Sequence, residues 1–169
     1  MAAGVSRAGR GASGEVEDYF EHYTEERVGY DPAPSAFPSE TREALKGILE
    51  SPLGSEITQS VGKSGQKIKL ATALNADQAF QVGSDDVIYY TLDVPGYIRS
   101  ISGISGDGLD TATLGTLLSH EIGHLALPVS GLTYRQEEIF VSRYFENIFR
   151  QYKGMAQRCS YFVVNDVCN

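Results

Sequence analysis

The chain has 169 residues, with 14 Lys and Arg against 22 Asp and Glu, a formal net charge of −8. That length allows one domain, and 41% hydrophobic residues are enough for a real core. The acidic balance leaves no basic patch to neutralise phosphates and argues against a nucleic-acid partner. No run approaches the ~18 apolar residues of a membrane span, which excludes an integral membrane protein.

Residues 1–14 are small and polar, with two arginines, no acid and no apolar h-region. They read as a disordered leader and not as a Sec-type signal peptide. Residues 15–30 mix acids with aromatics and predict a short amphipathic helix, in which His22 is an ordinary exposed histidine. Three prolines between Asp31 and Ser39 predict an extended connector. The expected organisation is therefore a leader and connector over 1–38 and one domain over 39–169.

Helical spacing begins with Ser39 as a candidate N-cap and continues through Ala44, Leu45, Ile48 and Leu49 until Pro52. A second short helix is expected over 53–61, closed by Gly62 and Gly65. KIKLAT (67–72) alternates apolar and polar residues, and DVIYYTL (86–92) is β-branched and aromatic; both predict strands. Residues 95–108 are rich in Gly and Ser and read as loop. A strong helix should start at Asp110 or Thr111 and stop at Pro128, and one long helix should run from 134 to 152. Two cysteines, Cys159 and Cys168, are too few for a four-thiolate site. A disulfide across a short C-terminal loop and a pair of free thiols are both compatible with them.

His120, Glu121 and His124 spell H-E-x-x-H. Two histidines four apart share one helix face, about 6 Å along the axis at ~1.5 Å per residue, so both rings reach one Zn²⁺. Glu121 stands one step round the same side, where it can take a proton from water activated by the metal. Leu114, Leu117, Leu118, Ile122 and Leu125 make this helix apolar nearly all round, so the polar trio is expected to be buried and to need a partner such as a metal.

A catalytic zinc takes a third protein ligand. His124 is followed by LALPVSG, which rules out the H-x-x-G-x-x-H arrangement. Glu137 and Glu138 open the next helix within a short loop's reach. At 100° per residue Glu137 falls nearer the centre of the stripe Phe140, Val141, Tyr144, Phe145, Ile148 and Tyr152, so Glu137 is preferred over Glu138, with Asp107 and Asp110 behind both. Tyr134 opens the same helix and is a candidate to stabilise an oxyanion, although a core or rim aromatic is the plainer reading. Arg150 is expected to pair with Glu146 at i,i+4 or to hold a carboxylate behind the ligands.

These residues resemble the NleD-like zinc metallopeptidases, which include type III secretion effectors and related bacterial toxin domains. The likeness spans about residues 40–154 in four pieces: SPLGSEITQSVGKSGQKIKL, DVIYYTLD, TLLSHEIGHLAL and YRQEEIFVSRYFENIFRQYKG, the last holding paired glutamates and then Glu146, Asn147 and Arg150. Leu125 and Ser142 stand where the family commonly has Ala and often Gly. The resemblance implies His120 and His124 as zinc ligands, Glu121 as base, and Glu137 or Glu138 as third ligand. It also implies an injected or secreted protein, a protein substrate in a host or competitor cell, and a secretion chaperone or immunity protein as partner.

The expected fold is thus a single α+β zincin-like domain, a small sheet packed on the motif helix and the following ligand helix. The expected activity is zinc-dependent peptide-bond hydrolysis, with substrate lying along an exposed edge given by 67–72 or 86–92. The rival readings are an inactive zincin acting as a zinc-stabilised protein-binding module, and hydrolysis of a non-peptide amide.

Overall fold

The two expected strands are present, and they form the middle of a sheet in the computed structural model, which describes residues 29–31, 33–62, 67–101, 109–162 and 165–168. Strand β1 is Gly29–Asp31, β2 Lys67–Thr72, β3 Gln81–Val82 and β4 Val87–Tyr90. Their order is β1-β2-β4-β3, with β1, β2 and β4 parallel and β3 antiparallel to β4. Ile68 and Leu70 of β2, and Ile88 and Tyr90 of β4, turn into the core at every second residue, as the period of two requires.

Helix α1 (Ser39–Glu50) and α2 (Leu53–Ile57), which runs on into a π-helical turn (Thr58–Gly62), cross from β1 to β2. Helix α3 is Val94–Ser100, α4 is Leu114–Ala126 and α5 is Tyr134–Val141. A π-helical stretch, Ser142–Glu146, joins α5 to α6 (Asn147–Tyr152). The architecture is mixed helix and strand with a small sheet. Helix α4 lies at its centre, against α1, the sheet and the α5–α6 helix.

Strand β1 joins the sheet, and Tyr30 and Phe37 are buried edge to face at 6.3 Å. Three expectations are corrected. The stretch around Pro95 is helix α3, because the Asp93 carboxylate accepts from the Gly96 N–H at 2.9 Å and Pro95 suits a first turn. Helix α4 starts at Leu114, where Thr113 and Thr116 cap each other reciprocally. The long C-terminal helix is not uniform but carries the π stretch. Residues 15–28 with His22, the leader and Asp107 lie outside the described residues.

At one crossing a glycine is required. A Cβ on Gly123 of α4 would stand 2.7 Å from Val141 Cγ1 and 2.9 Å from Phe145 Cβ. Its absence lets the two helices approach closely enough for His120 and His124 to meet side chains from α5. Among the described residues no helix is long and apolar enough to cross a membrane.

Candidate metal centre

His120 and Glu121 are 5% and 6% exposed on α4, and His124 is half-buried one turn on. The Nε2 atoms of the two rings stand 3.3 Å apart. Glu138 meets both, its Oε2 3.0 Å from His120 Nε2 and its Oε1 3.6 Å from His124 Nε2. Each Nδ1 faces a different carboxylate: His120 that of Glu146 at 3.1 Å, His124 that of Glu137 at 2.7 Å.

This arrangement separates the paired glutamates and reverses the preference for Glu137. Glu138 is buried and converges with both Nε2 atoms, while Glu137 lies behind His124. The reason is the helix period. Glu138, Ser142, Glu146 and Arg150 recur every four residues and are all buried, whereas Tyr144 and Tyr152, counted in the apolar stripe, are exposed. A π turn holds about one residue more than the ~3.6 of an α turn, so a four-residue row stays on one face across the junction.

The donor set is specific about what it would accept. Carboxylates only accept, so the Nδ1 atoms carry the ring protons when both imidazoles are neutral. Both Nε2 lone pairs then face each other and the Glu138 oxygens. Four acceptors meeting with no donor among them repel unless a proton or a metal cation lies between them. His120, His124 and Glu138 form a group whose ligand atoms lie within 4.8 Å of one another and could hold a metal ion. Two imidazoles and a carboxylate are a donor set that suits zinc, and carboxylates on the far ring nitrogens are the usual support for metal-bound histidines.

In the metal-free protein burial opposes charging His120, but hydrogen bonds to Glu138 and Glu146 outweigh it and raise its pKa to about 10. Burial likewise raises Glu138, and the two histidines more than reverse this, holding it well below the carboxylate range. Glu146 is anchored from behind. Arg150 Nε donates to its Oε1 at 2.8 Å and Arg158 Nη1 to its Oε2 at 3.3 Å, all three side chains being buried. Asn147 fixes Arg158 by bonding its backbone N–H and C=O at 2.7 and 2.8 Å. Arg150 pairs with Glu146 at i,i+4, and Glu146 is the carboxylate behind His120.

A cleft of about 610 Å³ opens over the cluster, lined by Glu121, His124, Glu137 and Glu138 on one side and by β3, Phe80 and Tyr97 on another. Glu121 faces it. Burial raises its pKa, against the pull of the two histidines. Tyr97 is pushed up to about 12 by burial and by the charge of Glu121, and its ring packs on Phe80 at 4.7 Å. Phe80 has φ 53°, a left-handed backbone that bulky residues rarely adopt, so strain is held at the cleft wall. Tyr134 lines the cleft but is 67% exposed. Burial and the nearby charge of Glu138 raise its phenol. Asp110 is exposed just before α4 and does not join the cluster.

The C-terminal segment also reaches the site. Cys159 and Cys168 are disulfide-bonded, which settles the alternative left by the sequence. Tyr161, inside the loop they close, stacks on His120 at 5.8 Å with 13° between planes, and the Arg158 guanidinium lies 4.1 Å from the Tyr161 ring centroid. The sequence offered one faint signal, an aromatic and an arginine flanking a cysteine. The expected substrate edge is also corrected. Strands β2 and β4 are interior, paired on both sides, and the edge beside the cleft is β3, too short for its alternation to be legible. No family model, curated protein or solved structure matches this chain.

Proposed function

We propose that the chain is a zinc-dependent peptidase of zincin type. The observation that carries this reading is the convergence of His120 Nε2, His124 Nε2 and the Glu138 carboxylate beside a buried Glu121, at the floor of a cleft bordered by an edge strand. His120, His124 and Glu138 would hold the ion, and Glu146 and Glu137 would fix the ring orientations. Bound there, zinc supplies a Lewis acid that polarises a carbonyl and lowers the pKa of water.

Glu121 accepts the proton of the attacking water at a carboxylate oxygen and returns it to the nitrogen of the departing amine. Burial keeps bulk water from competing for that oxygen, and Tyr97 and Tyr134 border the space where a scissile bond would lie. An intact acid facing the cleft beside the ligands favours turnover over a purely structural site, which has no use for it. The resemblance to NleD-like enzymes adds the remaining parts of the proposal: a protein substrate in a host or competitor cell, and delivery by secretion.

Metal analysis joined to peptide turnover tests this. The zinc-loaded protein should cleave members of a peptide library, and Glu121→Gln should keep stoichiometric zinc yet lose about 10²–10⁴-fold in rate. Wild-type turnover by the Gln variant, or a protein that takes up no zinc, would overturn the assignment.

A further inference from the structure

The cleft wall formed by β3 is bracketed by two acids. Asp77 lies in the short turn before the strand (Ala76–Gln78) and Asp86 follows the turn after it; both are exposed and both line the cleft. Neither side chain has a hydrogen bond or ion pair among the described residues. With Glu121, Glu137 and Glu138, five carboxylates line this space and no Lys or Arg does. Arg150 and Arg158 are committed to Glu146, on the far side of His120.

A second observation concerns burial and hydrogen bonding at one of these acids, not their number. Glu121 is 6% exposed, has no hydrogen-bond partner among the described residues, and faces the same space. A buried carboxylate without a donor calls for one from whatever fills the cleft.

We propose that the cleft selects a cationic peptide, an extended segment laid along the β3 edge with Lys or Arg side chains beside the bond to be cut and received by Asp77 and Asp86. This deepens the peptidase reading and rests on it. A divalent ion offsets only two of the five negative charges, so the loaded cleft still attracts cations and repels acidic chains. The edge itself is only Gln81–Val82. So short a strand offers few main-chain hydrogen bonds, and side-chain charge must supply much of the discrimination.

The test has two arms. In the first, zinc-loaded Glu121→Gln protein is titrated by fluorescence anisotropy with a Lys-containing peptide and with the same peptide carrying Glu in place of Lys. The cationic peptide should bind at least about tenfold more tightly, with an advantage that shrinks as salt rises. Asp77→Asn with Asp86→Asn should reduce the advantage to about threefold or less; Asn tolerates the left-handed backbone at Asp86 (φ 60°). Equal binding of the two peptides, or a preference untouched by the double substitution, overturns the inference. In the second arm, wild-type protein is given a peptide library. Cleavage without a Lys or Arg preference near the cut overturns the cationic selection and leaves the peptidase reading standing. A binding preference in the first arm with no cleavage in the second upholds the acidic cleft and rejects the peptidase.

Discussion

His120 Nδ1 meets Glu146 Oε2 at 3.1 Å while His120 Nε2 meets Glu138 Oε2 at 3.0 Å, so one buried imidazole is held at both nitrogens by glutamates eight residues apart on a single helix. In a regular α-helix residues eight apart drift by about 80°, and the widened turn between these two narrows that offset, bringing both carboxylates closer to one line. The π stretch between them is therefore part of how the centre is built, and it sets the division of labour between Glu137 and Glu138.

That division is measurable. Glu138→Gln replaces a convergent oxygen and should reduce zinc uptake to a level not detected in competition with a chromophoric chelator. Glu137→Gln removes only the support of His124 and should weaken zinc about 10–100-fold, with stoichiometric binding recoverable at higher zinc. The opposite ranking would return Glu137 to the ligand position.

Glu146 makes a prediction about acid stability. Burial alone would raise its pKa, but the hydrogen bond from His120 and the charges of His120, Arg158 and Arg150 hold it down to about 2, from an ordinary 4.5. A folded-state pKa lowered in this way contributes stability that is complete above about 4.5 and lost as pH falls from there towards 2, on the order of 3 kcal/mol. The arginines exert their share with or without a metal. Melting temperatures measured from pH 7 to 3 should fall steeply for the wild type. Glu146→Gln should start lower, because two buried arginines lose their counter-charge at about 3–5 kcal/mol, and should then decline less over the acid range. Parallel acid limbs would remove Glu146 from this role.

Gly123→Ala tests the helix crossing. The added methyl meets Val141 Cγ1 at 2.7 Å and Phe145 Cβ at 2.9 Å, both fully buried. Such overpacking costs about 1–3 kcal/mol, and separating α4 from α5 should also weaken zinc binding, because the histidines and Glu138 sit on opposite sides of the contact. An unchanged melting temperature together with unchanged zinc affinity would show that the crossing has slack.

What the sequence disclosed follows from the range of each signal. H-E-x-x-H is local, lying within two turns of one helix, and its burial could be read from the leucines around it. The paired glutamates were legible as candidates, but ranking them needed the π turn, which leaves no mark in a 100° wheel. Helix α3 was legible in principle from Asp93 and Pro95 yet was masked by the Gly- and Ser-rich stretch after it. β3 has two residues, too few to show alternation, and without it β2 and β4 looked like edges. Arg158 and Tyr161 reach the centre through tertiary packing alone, a contact for which a single sequence carries no periodicity.

The last of these contacts can be loosened deliberately. The disulfide from Cys159 to Cys168 closes a loop with a sequence separation of 9, and within it the Asp166 carboxylate accepts from the Tyr161 and Phe162 N–H groups at 2.6 and 2.9 Å. Val167 is fully buried, and its N–H bonds the Cys159 carbonyl at 3.0 Å. Because these bonds hold the loop without the cross-link, reduction should act chiefly on the unfolded chain. A loop of this size corresponds to about 2–3 kcal/mol, or roughly 5–10 °C in melting temperature. The double variant Cys159→Ser with Cys168→Ser should melt lower by that amount and bind zinc within about threefold of wild type, since Tyr161 and Arg158 keep their other anchors. A much larger loss of zinc affinity than of stability would mean that the disulfide itself holds Tyr161 against His120.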